Sequence, residues 1–113
     1  MTSLPFPVRI SGESMRPLLP PGARAIALPL AHPASPRVGD VVIVRHRKAA
    51  QAEMIKRILS VTDQGDYLLA ADNPSLGAES VDFGPVPRAA IVARVGWRYW
   101  PLPPRRLRKR PAR

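Results

Sequence analysis

The chain has 113 residues, 45% of them hydrophobic, a formal net charge of +10 and no Cys. That length holds one domain with a modest core, and the missing thiols exclude a disulfide framework, a thiol nucleophile and cysteine metal ligation. Its 15 Pro residues work against long helices and favour turns and edge strands.

Pro7-Val8-Arg9-Ile10 reads as a short strand that enters the segment Ser11-Gly12-Glu13-Ser14. Pro20-Pro21-Gly22 is a turn signal. Ala23 to Leu30 reads as a second strand, ended near Pro29, and residues 32–38 as a Pro- and Ser-containing loop. Gly39-Asp40 then introduces a β-branched strand from Val41 to Arg45. Glu53 to Thr62 fits helix or strand by apolar pattern alone. Recurrent β-branched residues and the turn Asp63-Gln64-Gly65-Asp66 favour a strand, paired as a hairpin with Tyr67 to Ala71. In that strand Met54, Lys56, Ile58 and Ser60 share one face, and Ile55, Arg57, Leu59 and Val61 the other. Asp72 to Pro87 is a long loop of the kind that carries function in small domains. Ala89 to Val95 is the last strand, with Trp97-Arg98-Tyr99-Trp100 at its end. Leu28, Leu30 and Trp97 to Trp100 are read as core residues. The expected fold is mostly β, with short strands and long loops.

Charge is uneven along the chain. Residues 101–113 carry six basic side chains and no acid, leaving a mildly basic body. The domain is therefore assigned to residues 1–101, and residues 102–113 to a basic Pro/Arg-rich tail expected to be disordered. Such a tail can meet the phosphates of nucleic acid or anionic lipid. The start shows neither a charged n-region nor an apolar h-region. The longest apolar stretch, Ala25 to Ala31, falls far short of the roughly 18 residues that span a bilayer. The expectation is a cytoplasmic protein without a spanning segment, able to touch a membrane surface through its tail.

Lysine usage singles out one candidate. Of 18 basic residues only Lys48, Lys56 and Lys109 are Lys. Lys48 ends a charged cluster and Lys109 lies in the basic tail, whereas Lys56 is flanked by Met54-Ile55 and by Ile58-Leu59. Arg stays charged in proteins, but apolar burial disfavours the ammonium form of Lys, and the neutral amine is a base. A serine hydroxyl needs such a base during attack. The usual base is His backed by a carboxylate, but His32 lies in a Pro-rich loop and His46 in a basic cluster. Ser14, beside a Gly12 that permits a tight turn, is the candidate nucleophile. Its 42-residue separation from Lys56 does not show that the two meet.

Four segments in order add to this reading. Ser11-Gly12-Glu13-Ser14-Met15-Arg16-Pro17-Leu18-Leu19 resembles the nucleophile box of type I signal peptidases. Gly39-Asp40-Val41-Val42-Ile43-Val44 resembles their second box and Ile55-Lys56-Arg57-Ile58 their lysine box. Ala71-Asp72-Asn73-Pro74, with Ser80 and Phe83-Gly84-Pro85-Val86-Pro87, resembles their last box. The resemblance covers roughly residues 8 to 95. It implies a Ser-Lys endopeptidase on a partly closed β fold of the kind shared with LexA-type repressors. Ser14 would be the nucleophile and Lys56 the general base, with Gly12, Glu13 and Met15 in the oxyanion loop and Asp72, Asn73 and Ser80 as active-site loop support. No metal or cofactor is implied.

The Asp72-Asn73-Pro74 start of the last box and the closing Trp97-Arg98-Tyr99-Trp100-Pro101 are similar to maturation proteases of nickel-type superoxide dismutase. That similarity implies a precursor protein substrate, the dismutase precursor, bound as an extended peptide. The last box departs from the family pattern. Glu79, Ser80 and Val81 stand where relatives carry Asp-Ser-Arg, and Gly77 stands where many carry a Ser that bonds the lysine. The carboxylate–Arg brace of the loop is then missing, with Ser60 or Ser80 left to orient Lys56. Two alternatives stand beside this reading. One is general signal peptidase-like processing at the membrane surface. The other is a non-enzymatic basic module for lipid or nucleic acid, although the aromatic-interleaved face of a nucleic-acid binder is weak here.

Overall fold

The strands divide the apolar residues between two cores. Val41-Val42-Ile43-Val44 forms β3 and is buried throughout. Side chains alternate along a strand, so Val41 and Ile43 join one cluster with Met15, Leu19, Ala25, Ala27 and Val95. Val42 and Val44 join a second cluster with Ile58, Tyr67, Leu69, Val86 and Ile91. A strand covered on both faces explains why this run is continuously apolar.

The computed structural model describes residues 4–12, 14–30, 36–45, 53–73 and 84–107. Its other strands are β1 (Phe6–Arg9), β2 (Arg24–Pro29), β4 (Met54–Val61), β5 (Tyr67–Ala70), β6 (Ile91–Trp100) and β7 (Arg105–Arg106). They build a mostly antiparallel sheet in the order β1-β2-β6-β3-β4-β5, with β7 added beside β6. The sheet is not closed into a barrel. The fold is mostly β, as the short β-branched segments imply. The hairpin read between residues 53 and 71 is the β4–β5 pair, and its turn is tied by Gly65 N–H to the Thr62 carbonyl at 2.9 Å.

Three features differ from the sequence reading. The last strand runs on through Trp100 and is preceded by one 3-10 turn, Arg88–Ala90. Hydrophobicity places Trp97 and Trp100 in the core, yet they are 46% and 53% exposed, and Leu102 is exposed too. Register irregularities where β2 meets β6 accompany this outward turn, and the Arg106 guanidinium lies 5.2 Å from the Trp97 ring centre. Leu28 and Leu30 are half-buried.

The third difference concerns the tail. The expectation of disorder from residue 102 does not extend to residues 105–107; residues 108–113 lie outside the described residues. Arg105 and Arg106 pair with Arg98 and Trp97. The Leu107 N–H bonds the Gly96 carbonyl at 3.1 Å, and its side chain is fully buried in the first core. Composition marked this stretch as disordered, but one leucine with a place in the core outweighs six basic neighbours. Leu107→Ala is expected to cost about 2–5 kcal/mol of stability, measurable by urea unfolding. A loss below about 0.5 kcal/mol contradicts the packing role.

Candidate active site

Ser14 lies in the connection between β1 and β2. The connection is pinned at both ends, with Ile10 N–H on the Ala23 carbonyl and Gly22 N–H on the Ile10 carbonyl, each at 2.8 Å. Gly12 takes φ +85°, a conformation that side-chain-bearing residues rarely adopt. The backbone turns over Ser14–Leu18, and Leu19 N–H bonds the Met15 carbonyl at 2.8 Å. Met15 and Leu19 point into the first core and anchor the turn. Ser14, half-buried, lines a groove together with Met15.

Lys56 sits on β4 opposite Val42 of β3. It is 6% exposed, and Ile58, two residues on, is buried on the same face. The alternation read from the sequence therefore holds through the buried half of the strand. Ser14 and Lys56 line one groove of about 500 Å3. Residues 8–12 and Met15 form one wall, and Ile43 with residues 53–56 the other. Val8, Ile10, Met15, Ile43, Met54 and Ile55 supply its apolar lining, and Arg9, Ser11, Ser14, Glu53 and Lys56 its polar lining. A serine hydroxyl and a lysine amine are the two groups that acyl transfer of this kind uses, the amine taking the hydroxyl proton as the oxygen attacks a carbonyl.

The segment after β5 is held from two directions. Asn73 N–H donates to the Ser14 carbonyl at 2.9 Å. Both oxygens of Asp72 accept from Arg57, at 2.7 Å from Nε and 2.6 Å from Nη2. Arg57 Nη1 also donates to the carbonyls of Gly39 and Leu107, at 2.7 Å each. One guanidinium thus joins β4, the turn before β3, the loop after β5 and the C-terminal segment. Arg57 is the functional neighbourhood's principal residue that sequence reasoning did not select. The available signal was an Arg on a strand immediately after the candidate lysine, on the face shared with Ile55.

The site residues read from the sequence are therefore largely gathered. Gly12, Ser14, Met15 and Lys56 line the groove, and Asp72 and Asn73 bind its surroundings. Glu13 and Ser80 lie outside the described residues, as do residues 74–83 of the long loop. The missing brace inferred for that loop falls partly on these residues, but the loop's start is braced by Arg57 and Asp72 instead. Ser60 does not reach Lys56, because four residues along a strand span roughly 13 Å, and it pairs with Leu68.

The family model described as "Signal peptidase, peptidase S26" matches residues 1–64. The chain is also similar to mitochondrial inner membrane protease subunit 1 of Schizosaccharomyces pombe. The two are 31% identical over 113 aligned positions that cover 82% of this chain and 72% of the relative. The class these matches define is that of peptidases that process precursor proteins. The chain belongs to the signal peptidase family. No helix among the described residues is long and apolar enough to cross a membrane, and no three metal-ligating side chains converge among them.

Proposed function

We propose that this protein is a Ser-Lys endopeptidase that removes an N-terminal segment from a precursor, most specifically the precursor of nickel-type superoxide dismutase. The observation that carries the reading is the shared groove of Ser14 and Lys56. The substrate lies in the groove as an extended strand alongside the β1 wall, using main-chain hydrogen bonds. Ser14 Oγ attacks the scissile carbonyl carbon while Lys56 Nζ takes the hydroxyl proton. Backbone N–H groups of the Gly12–Met15 turn, Glu13 included, receive the oxyanion. Lys56 hands its proton to the leaving amine, the peptide C–N bond breaks, and an acyl ester remains on Ser14. A water then attacks that ester, giving a proton to Lys56, which passes it to Ser14 Oγ as the acyl C–O bond breaks, so the acid product leaves with the Ser14 hydroxyl and the neutral Lys56 restored. Asp72 and Asn73 position the Ser14 turn through the Asn73–Ser14 hydrogen bond, with Ser80 supporting the same loop.

The nickel belongs to the substrate in this reading, and the peptidase itself uses no cofactor. Support for the particular precursor comes from the Asp72-Asn73-Pro74 and Trp97-to-Pro101 segments. The exposed Trp97, Tyr99, Trp100 and Leu102 beside the basic tail support a peripheral contact with an anionic bilayer. Co-expression with the dismutase precursor tests the substrate. The mature product is expected to begin at a single new N-terminus by mass spectrometry. An uncut precursor beside a folded enzyme that cleaves other exported precursors would move the assignment to general processing at the membrane. A purely binding module is separated by removing residues 108–113, which spares Leu107. Peptide cleavage is expected to survive that deletion, whereas the function of a binding module depends on the tail.

A further inference from the structure

Among the described residues, Arg57 and Arg98 are largely withdrawn from water, and of the two only Arg57 has a counter-ion. Arg57, with its side chain 11% exposed, is matched by both oxygens of Asp72. Arg98, 7% exposed, donates to the Leu18 carbonyl at 2.8 Å and the Pro103 carbonyl at 3.1 Å. Its buried Nε has no partner. Among the described residues no carboxylate bonds it. A buried charge without an opposite charge is costly, and carbonyl dipoles offset only part of that cost.

The register of β6 and β7 adds to the imbalance. Arg98 lies directly opposite Arg105, and like charges placed opposite one another across a strand pair repel. Both side chains line a second cavity of about 360 Å3, together with Pro17, Leu18 and Asp72. The Asp72 charge is already committed to Arg57. Among the described residues, the two arginines of this lining are left without a negative partner, beside a space many times the roughly 30 Å3 share of one water.

We propose that this cavity, behind the Ser14 turn, is a binding site for a phosphate-class oxyanion held between Arg98 and Arg105. A tetrahedral oxyanion offers acceptors to both guanidinium forks, the geometry for which Arg is suited. It converts the Arg98–Arg105 repulsion into two attractions and supplies the counter-charge that Arg98 lacks. The same chemistry is available as free phosphate or as the phosphodiester of a lipid headgroup. Because Pro17 and Leu18 close the Ser14 turn, an occupant here also touches the back of the candidate active site.

Calorimetric titration of the full chain with inorganic phosphate, at constant ionic strength, tests the site. Saturable binding is expected, with a midpoint of thermal unfolding that rises as phosphate is added. Arg105→Gln is expected to weaken the affinity about tenfold or more. Arg105 is exposed, so this variant folds. Arg106→Gln removes the same charge outside the cavity and is expected to leave the affinity within about twofold. Vesicles of phosphatidylglycerol are the second probe. Binding to them that needs Arg105, not Arg106, and that phosphate displaces assigns the lipid phosphodiester as a source. Phosphate binding without such vesicle binding assigns the free ion. No saturable response to either probe overturns the proposal, and so does equal weakening by Arg105→Gln and Arg106→Gln.

Discussion

Ser14→Ala and Lys56→Met are each expected to abolish precursor cleavage, lowering the rate by at least about ten-thousand-fold. Residues of a catalytic unit fail together, so the double variant should be scarcely slower than either single one. The two substitutions differ in a second readout. Ser14 is half-buried on a turn held by Met15 and Leu19, so its loss leaves stability nearly unchanged. Lys56 is buried on β4, and Met has a similar length without a group that needs solvation. Lys56→Met should therefore unfold at the same temperature as wild type or higher, although it is inactive. Cleavage assays paired with thermal unfolding check both parts. Activity that survives in folded Lys56→Met removes Lys56 from the proposed mechanism.

Asp72→Ala is expected to destabilise the fold by about 3–5 kcal/mol, because it leaves the buried Arg57 charge without a partner. Arg57→Met should cost at least as much. It strands the Asp72 carboxylate and also removes the donor to the Gly39 and Leu107 carbonyls. The double variant should be less damaged than the sum of the two singles, since neither charge is left alone. Urea unfolding of the four proteins measures the coupling. Single variants that both fall within about 0.5 kcal/mol of wild type contradict the clamp. Cleavage should fall in Asp72→Ala even under conditions where it stays folded, because Asn73 next to it holds the Ser14 carbonyl.

Much of the sheet was legible because its cause is local. The run Val41 to Val44 and the hairpin from Met54 to Ala70 follow from β-branched composition and a polar turn. Lys56 was legible for a chemical reason: a Lys in a chain that otherwise prefers Arg, set among apolar neighbours. That Ser14 and Lys56 share a groove was inferred from the order of four motifs, since spacing carries no information on a meeting across the sheet. The Arg57 clamp was not legible. Its partners lie 15, 18 and 50 residues away, and no local pattern encodes such a convergence. The tail misled for the opposite reason. Its composition is that of a solvated segment, and only the core's vacancy for Leu107 decides otherwise. Trp97 and Trp100 were assigned by hydrophobicity, whereas strand irregularity turns them outward.

The position of β6 has a consequence for how activity arises. It is the sixth strand made but stands between β2 and β3, so among the described residues the β1–β2 pair and the β3–β4–β5 unit join within the sheet only through it. Ser14 belongs to the first unit and Lys56 to the second. Until β6 is synthesised, the two halves lack the strand that pairs with both, so completion of the groove is expected to follow it. A hydrolase built this way is expected to be inert while its own ribosome-bound chain is still emerging. Late, long-range closure of this kind also makes folding slow, so newly made enzyme should gain cleavage activity with a lag set by β6 docking.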